Sequence, residues 1–210
     1  MNVDIWMDLT CPFCYLGKKK FVSALQQFSG RDQVTLRLRS FELDRDASKN
    51  YPGTVYDWLS KRYGRTRDEV IEMNKPVLQQ AELLGLTFNL NQAKPTNSFD
   101  AHRLLHYAAT EQKELILSDL LFKAYFTDGK NISDTDVLIE AGVSCNLDED
   151  EIKALLFSDK FADRVREDEA LAQQLSIRGV PFFLFDGTNA VSGSQPTQAF
   201  LSVLQRLSKQ

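Results

Sequence analysis

Strand-like alternation occurs only near the two ends of this chain, and that segregation constrains its fold more than any other feature. Val3–Leu9 (VDIWMDL) alternates apolar and polar residues, the pattern of a half-buried strand. Residues 12–28 switch to helical spacing, with Phe21, Leu25 and Phe28 on one face. Pro12 suits a first helical turn, where a missing N–H costs nothing, and Ser29-Gly30 ends the helix. Val34–Leu43 alternates again. Strand, helix and strand of this length form a βαβ unit, right-handed with parallel strands. At the other end, Pro181–Phe185 is an apolar run and residues 186–189 supply turn chemistry. Ala190–Ser192 begins a return strand, and a final amphipathic helix carries Phe200, Leu201, Leu204 and Leu207.

Between these ends the pattern is helical. Ala101, Leu104, Leu105 and Ala108 fall at helical spacing, as do Leu117, Leu120, Leu121, Ala124 and Tyr125. Asp148 ahead of Glu151 reads as a capping box for a helix near Ile152–Phe157. A longer helix over about 160–175 leads into the closing strands, and residues 51–53 and 94–96 read as loops. At 210 residues the chain is one domain with a large insertion. The expected frame is 1–43 with 160–210, and the expected helical subdomain is 44–159.

Composition narrows the function classes. With 43% hydrophobic and 26% charged residues the chain can bury a core, which excludes disordered and collagen-like classes. No apolar run reaches the roughly 18 residues of a membrane span. A net charge of −4 argues against nucleic acid. Lys18, Lys19 and Lys20 form a small basic cluster that reads as solvated surface. Three cysteines are too few for a secreted disulfide scaffold and leave one thiol unpaired. Residues 1–10 show no leader pattern. The expectation is a cytoplasmic protein with no removable segment.

Cys11-Pro12-Phe13-Cys14 is the sharpest chemical signal. Cys11 falls where a strand ends and a helix begins, so the first-turn N–H groups and the macrodipole favour an anionic sulfur there. Cys14, one turn on, can close a disulfide and release a mixed-disulfide intermediate. A structural zinc site would want four ligands, but no second pair accompanies this one, so no metal is expected. His102 and His106 have the spacing of a zinc protease, yet Arg103 stands where that motif needs Glu. They read as core-flanking or surface histidines. Gly179-Val180-Pro181-Phe182 precedes an apolar strand, where a proline belongs at the first residue.

Together these stretches resemble the DsbA-type branch of the thioredoxin superfamily. Within it the chain is similar to the FrnE-like proteins, which share a family resemblance with 2-hydroxychromene-2-carboxylate isomerases and kappa-class glutathione transferases. The matching segments are CPFCYLGK from Cys11, NSFDAHRL from Asn97, GVPFF from Gly179 and VSGSQP from Val191. The resemblance implies an α/β thioredoxin-like fold with a large all-helical insertion. It implies that Cys11 is the nucleophile, Cys14 the resolving thiol, and Pro181 a cis residue facing them. Pro12, Phe13, Val180, Pro181, Asn97 and His102 then bind substrate, the Val180 backbone pairing with an extended peptide or a glutathione-like molecule.

The expected activity is thiol–disulfide exchange on a protein, peptide or small-molecule disulfide or dithiol. No cofactor is expected to be bound, with glutathione a candidate substrate or co-substrate. No nucleic acid or membrane partner is expected, and the protein is a monomer or homodimer. Two alternatives are carried: a glutathione-dependent isomerase or transferase, and a binding module with an inert or metal-loaded Cys pair. The relatives of isomerase and transferase type usually have Ser at the Cys11 position, so two retained thiols favour disulfide chemistry. Cys145 is expected to be a reduced, dispensable thiol.

Overall fold

The computed structural model describes residues 1–209; Gln210, the last residue of the expected 160–210 segment, lies outside them. The chain opens with β1 (Asn2–Met7), α1 (Pro12–Gln27), a 3₁₀ turn (Arg31–Gln33) and β2 (Thr35–Ser40). Helices α2 (Val55–Tyr63), α3 (Arg67–Leu83), α4 (Phe99–Thr110), α5 (Glu114–Phe126), α6 (Thr135–Ser144), α7 (Glu149–Leu156) and α8 (Ala162–Gln174) follow. It closes with β3 (Phe182–Phe185), β4 (Asn189–Ser192) and α9 (Thr197–Leu207).

The sheet has the order β2-β1-β3-β4. β1 runs parallel to β2 and antiparallel to β3, with Val3 opposite Phe185 and Trp6 opposite Phe182. The two ends of the chain thus share one sheet. Both opening strands are shorter than the alternation suggests. The Phe41 N–H still bonds the Met7 carbonyl, but the Leu43 N–H turns to the Asp8 carboxylate. A side chain replaces the ladder there, and the strands part.

One sheet face presents Val3, Ile5, Phe183 and Phe185 to Phe21 of α1 and to Phe200 and Leu204 of α9. The rings of Phe21 and Phe200 meet edge-on at 5.4 Å, the arrangement that aromatic quadrupoles favour. The opposite face packs Trp6, Phe182 and Leu184 against Ala172 and Ile177 at the end of α8 and beyond. There Asp4 receives Arg37 and Arg39, and Arg39 also reaches Asp168 of α8. A third core joins Met7, Leu9, Cys14 and Tyr15 to the helical segment. Tyr15 stacks on Phe122 at 4.6 Å, so the start of α1 is clamped against α5.

Two local expectations need correction. Asp148 caps α7 by accepting from the Glu151 N–H, but the Glu151 side chain reaches Lys160 instead of closing the box. Complete boxes occur at Thr54/Asp57 and Thr66/Glu69. Helix α8 starts at Ala162 because Phe161 adopts a left-handed conformation (φ 64°). Arg103 holds that junction, donating to the carbonyls of Leu155, Ser158 and Lys160.

The larger correction concerns Lys18, which is not solvated surface but 1% exposed. Its ammonium donates to the Leu115 carbonyl and pairs with Asp119 of α5 at 2.9 Å. Burial, opposed by Asp119, brings it down to about 8. The folded protein therefore releases this proton near pH 8, and the unfolded chain only near 10.5. Between those values the unfolded state binds more protons, so this group makes stability rise with pH. Lys18→Met should remove that rise, measured as the difference between wild-type and variant in urea unfolding from pH 7.5 to 10. Parallel profiles would contradict the assignment.

Candidate active site

Cys11 is the N-cap of α1, with extended backbone angles (φ −93°, ψ 115°) and Pro12 at the first helical position. The N–H groups of Cys14 and Tyr15 turn back to the Cys11 carbonyl, which starts the helix between the two sulfurs. Both cysteines are free, and both are buried: Cys11 is 4% exposed and Cys14 1%. Cys14 accepts from the Asp8 N–H at 3.5 Å. Burial pushes the Cys14 thiol well up, and the neighbouring Cys11 sulfur adds to the rise. Phe13 between them is 47% exposed and stands on the rim, with half-buried Pro12 beside it.

The Cys11 thiol donates to the Val180 carbonyl at 3.8 Å across 169 positions of sequence. The Val180–Pro181 bond is cis, and the Pro181 carbonyl accepts from the Gly193 N–H at 2.8 Å. The Pro181 ring rests directly on α1 at Gly17. A Cβ at Gly17 would lie 2.8 Å from Pro181 Cγ, closer than carbon atoms pack, so the proline seat requires glycine there. Gly17 lies in the CPFCYLGK segment, where sequence alone assigns it no role. A glycine in a helix three residues after a CxxC was the available signal, since mid-helix glycine is unfavourable by about 1 kcal/mol unless something needs the space.

Beneath the cysteines lies a layer of buried polar groups. The Asp8 carboxylate accepts from the N–H of Thr10 and of Leu43. His102 is 1% exposed, with Nε2 3.9 Å from Asp8 Oδ1 and no hydrogen-bond partner. It lies under the site and not on an open wall. Burial pushes Asp8 up, but His102 and the two N–H donors outweigh it and hold the carboxyl below its ordinary value. Asn97 accepts from the Phe99 N–H at the start of α4 and donates to the Arg45 carbonyl. Its amide is engaged within the protein. In sequence Asp8 reads only as the polar half of strand alternation. Its position at the strand end, three residues before Cys11, was the clue.

His106, one turn along α4, serves elsewhere. Its Nε2 meets Ser40 Oγ at 3.0 Å and Asp168 at 3.3 Å. Both partners address the same nitrogen, whereas a hydrolytic triad needs them on opposite nitrogens. Cys145 caps the C-terminus of α6, buried, with its thiol donating to the Gly142 carbonyl. Among the described residues no group of three or more His, Cys, Asp or Glu is arranged to hold a metal ion.

Comparison with known proteins matches this arrangement to one family. The model of the DSBA-like thioredoxin domain matches residues 2–205. A probable DsbA oxidoreductase from Streptomyces coelicolor is 36% identical and superposes with a TM-score of 0.94 over 100% of this chain and 91% of its own. Two solved structures share the fold at lower identity. A 2-hydroxychromene-2-carboxylate isomerase is 17% identical, with a TM-score of 0.72 over 100% and 97% of the two chains. The cytosolic disulfide reductase DsbM from Pseudomonas aeruginosa, solved with GSH, is 16% identical, with a TM-score of 0.69 over the whole of both chains. From its first strand to its last helix, this chain belongs to the DsbA-like thioredoxin-domain family of thiol oxidoreductases.

Proposed function

We propose that Cys11 and Cys14 form a redox couple that exchanges disulfides through a mixed disulfide on Cys11. The observation that carries this reading is the placement of Cys11 at the helix N-cap, against the Val180 carbonyl, with Cys14 buried one turn behind it. Cys11 attacks one sulfur of a substrate disulfide, and Cys14 then displaces the bound half. Run in reverse, the same steps oxidise a substrate dithiol. Val180 and Pro181 form one wall of the site, and Phe13 with Pro12 the rim. Asn97 supports the start of α4 behind it.

Glutathione disulfide is a substrate of the right chemistry, and the presence of GSH in the DsbM structure supports trying it first. The odd number of thiols and a cytosolic relative in fold support a reducing compartment. The segments 1–43 and 160–210 act as the redox frame, and 44–159 as a helical subdomain covering it. The likeness in fold to an isomerase keeps a glutathione-dependent isomerase or transferase as the second reading. A buried resolving thiol beside Cys11 favours exchange over it.

The test is iodoacetamide at pH 7 on the reduced protein, followed by glutathione disulfide. Cys11 should be labelled before Cys14, whose thiol is buried and pushed up. The unlabelled protein should release two glutathiones per Cys11–Cys14 disulfide formed. Labelling of Cys14 first, or no exchange at all, would overturn the reading.

A further inference from the structure

Lys18, Lys19 and Lys20 are neighbours in sequence but not in partners. Lys18 and Lys19 both reach the Asp119 carboxylate. Lys20 is half-buried and donates instead to two neutral oxygens on different elements, Gln80 Oε1 of α3 at 2.9 Å and Ser194 Oγ after β4 at 3.2 Å. We propose that Lys20 is a positioning residue for disulfide exchange: its ammonium holds the loop that fixes the Val180–Pro181 wall opposite Cys11. The inference rests on the exchange reading above and adds to it a residue outside the wall itself.

Every link in the path is a direct contact. Ser194 follows Gly193, whose N–H donates to the Pro181 carbonyl at 2.8 Å. Pro181 follows Val180, whose carbonyl lies 3.8 Å from Cys11 Sγ. On α1, Gly17 lies under the Pro181 ring, and Lys20 stands three residues on, along the same helix face. The helix thus carries a seat for the proline and, one turn later, a tether for the loop behind it. That loop also braces itself. Gly193 turns with φ 81°, the Gln195 N–H returns to the Gly193 carbonyl, and the Gln195 side-chain amide donates to the Ser192 carbonyl. Those bonds fix the shape of the loop and not its place. The Lys20 ammonium ties that shape to α1 and, through Gln80, to α3.

Burial lowers the Lys20 ammonium from its ordinary value without an opposing carboxylate. Fixing a long lysine side chain also costs rotamer freedom. A solvated lysine meets neither cost; this one meets both in joining two elements beside the site. It acts through position and not through charge. Lys20 lies nine residues from Cys11, about 13 Å along the helix axis, which exceeds the Debye length of about 8 Å in physiological salt. The Cys11 thiol should therefore not sense loss of the ammonium, whereas a disulfide that must be laid against the wall should. Misplacing a reacting group by about 1 Å can slow a reaction about a hundredfold.

Lys20→Met keeps the side-chain stem and removes the donors, and Ser194→Ala removes one acceptor. Both are made in a Cys14→Ser background, where the mixed disulfide persists, and each is checked for folding by its unfolding midpoint. Two rates are followed at pH 7: adduct formation on Cys11 with glutathione disulfide, and alkylation of Cys11 by iodoacetamide, which needs the thiolate but no wall. Lys20→Met should slow adduct formation about tenfold and leave alkylation within about twofold of the parent. Ser194→Ala should do the same, and the double variant should be no slower than either, since both changes break one contact. Lys20→Arg, which can donate to both oxygens, should recover most of the rate. The Ser194 variant carries the test if Lys20→Met does not fold. Adduct formation at the parent rate, equal slowing of both reactions, or additive losses in the double variant would overturn the positioning role and leave exchange standing. A parent protein that alkylates but never forms the adduct overturns the exchange reading, and the role of Lys20 with it.

Discussion

Replacing Cys14 with serine should stall the protein as a covalent adduct on Cys11 and cut turnover by at least about a hundredfold. Well-oriented intramolecular groups reach effective molarities of about 10⁵ M or more, so free thiol at millimolar concentration is a poor substitute for Cys14. The buried sulfur lies one helical turn from Cys11, and Tyr15 stacked on Phe122 fixes that turn in place. Mass analysis after exposure to glutathione disulfide should show one glutathione per chain, persisting without added reductant. Cys11→Ser should show none. A Cys14→Ser protein that turns glutathione over at the wild-type rate would transfer the assignment to the isomerase or transferase reading, which needs no resolving thiol.

The two ends of the chain were legible because their signals are local. Alternation in VDIWM and the short apolar run FFLF report strands whatever else surrounds them, and a CxxC after a strand reports its own place at a helix start. The joining of β1 to β3 followed from fold resemblance, since no local signal spans that separation. The capping residues of α2 and α3 at Thr54/Asp57 and Thr66/Glu69 are equally local signals.

What sequence could not show is where polar side chains find partners. Lys18 looks like its neighbours Lys19 and Lys20, yet it alone is fully enclosed, because the carbonyl of Leu115 and the carboxylate of Asp119 meet it from α5. His102 and His106 share a helix face by spacing, yet His106 turns to Ser40 and Asp168 while His102 turns to Asp8. Burial of a charge depends on which distant element supplies its counter-charge, and periodicity carries no record of that.

Gly17→Val should lower stability by about 3 kcal/mol and loosen the redox site together. Glycine to alanine in a helix interior is favourable by up to about 1 kcal/mol on propensity alone. Here the added Cβ would sit 2.8 Å from Pro181 Cγ and 3.5 Å from Phe183 Cζ, and a proline ring cannot swing aside as a flexible side chain can. Overpacking of this kind costs about 1–3 kcal/mol, so alanine should come out between neutral and mildly destabilising. Valine adds two methyl groups against the same ring and gives up the propensity gain. In a chain of this length about 3 kcal/mol lowers the thermal midpoint by roughly 6–12 °C. Because Val180 precedes that proline, displacing the ring also draws the Val180 carbonyl from its position 3.8 Å from the Cys11 sulfur. Exchange with glutathione disulfide should therefore slow in the valine variant at temperatures where it is still folded. A valine variant as stable and as fast as wild type would mean that the proline is not seated on α1 in solution, and that the wall opposite Cys11 is built from something else.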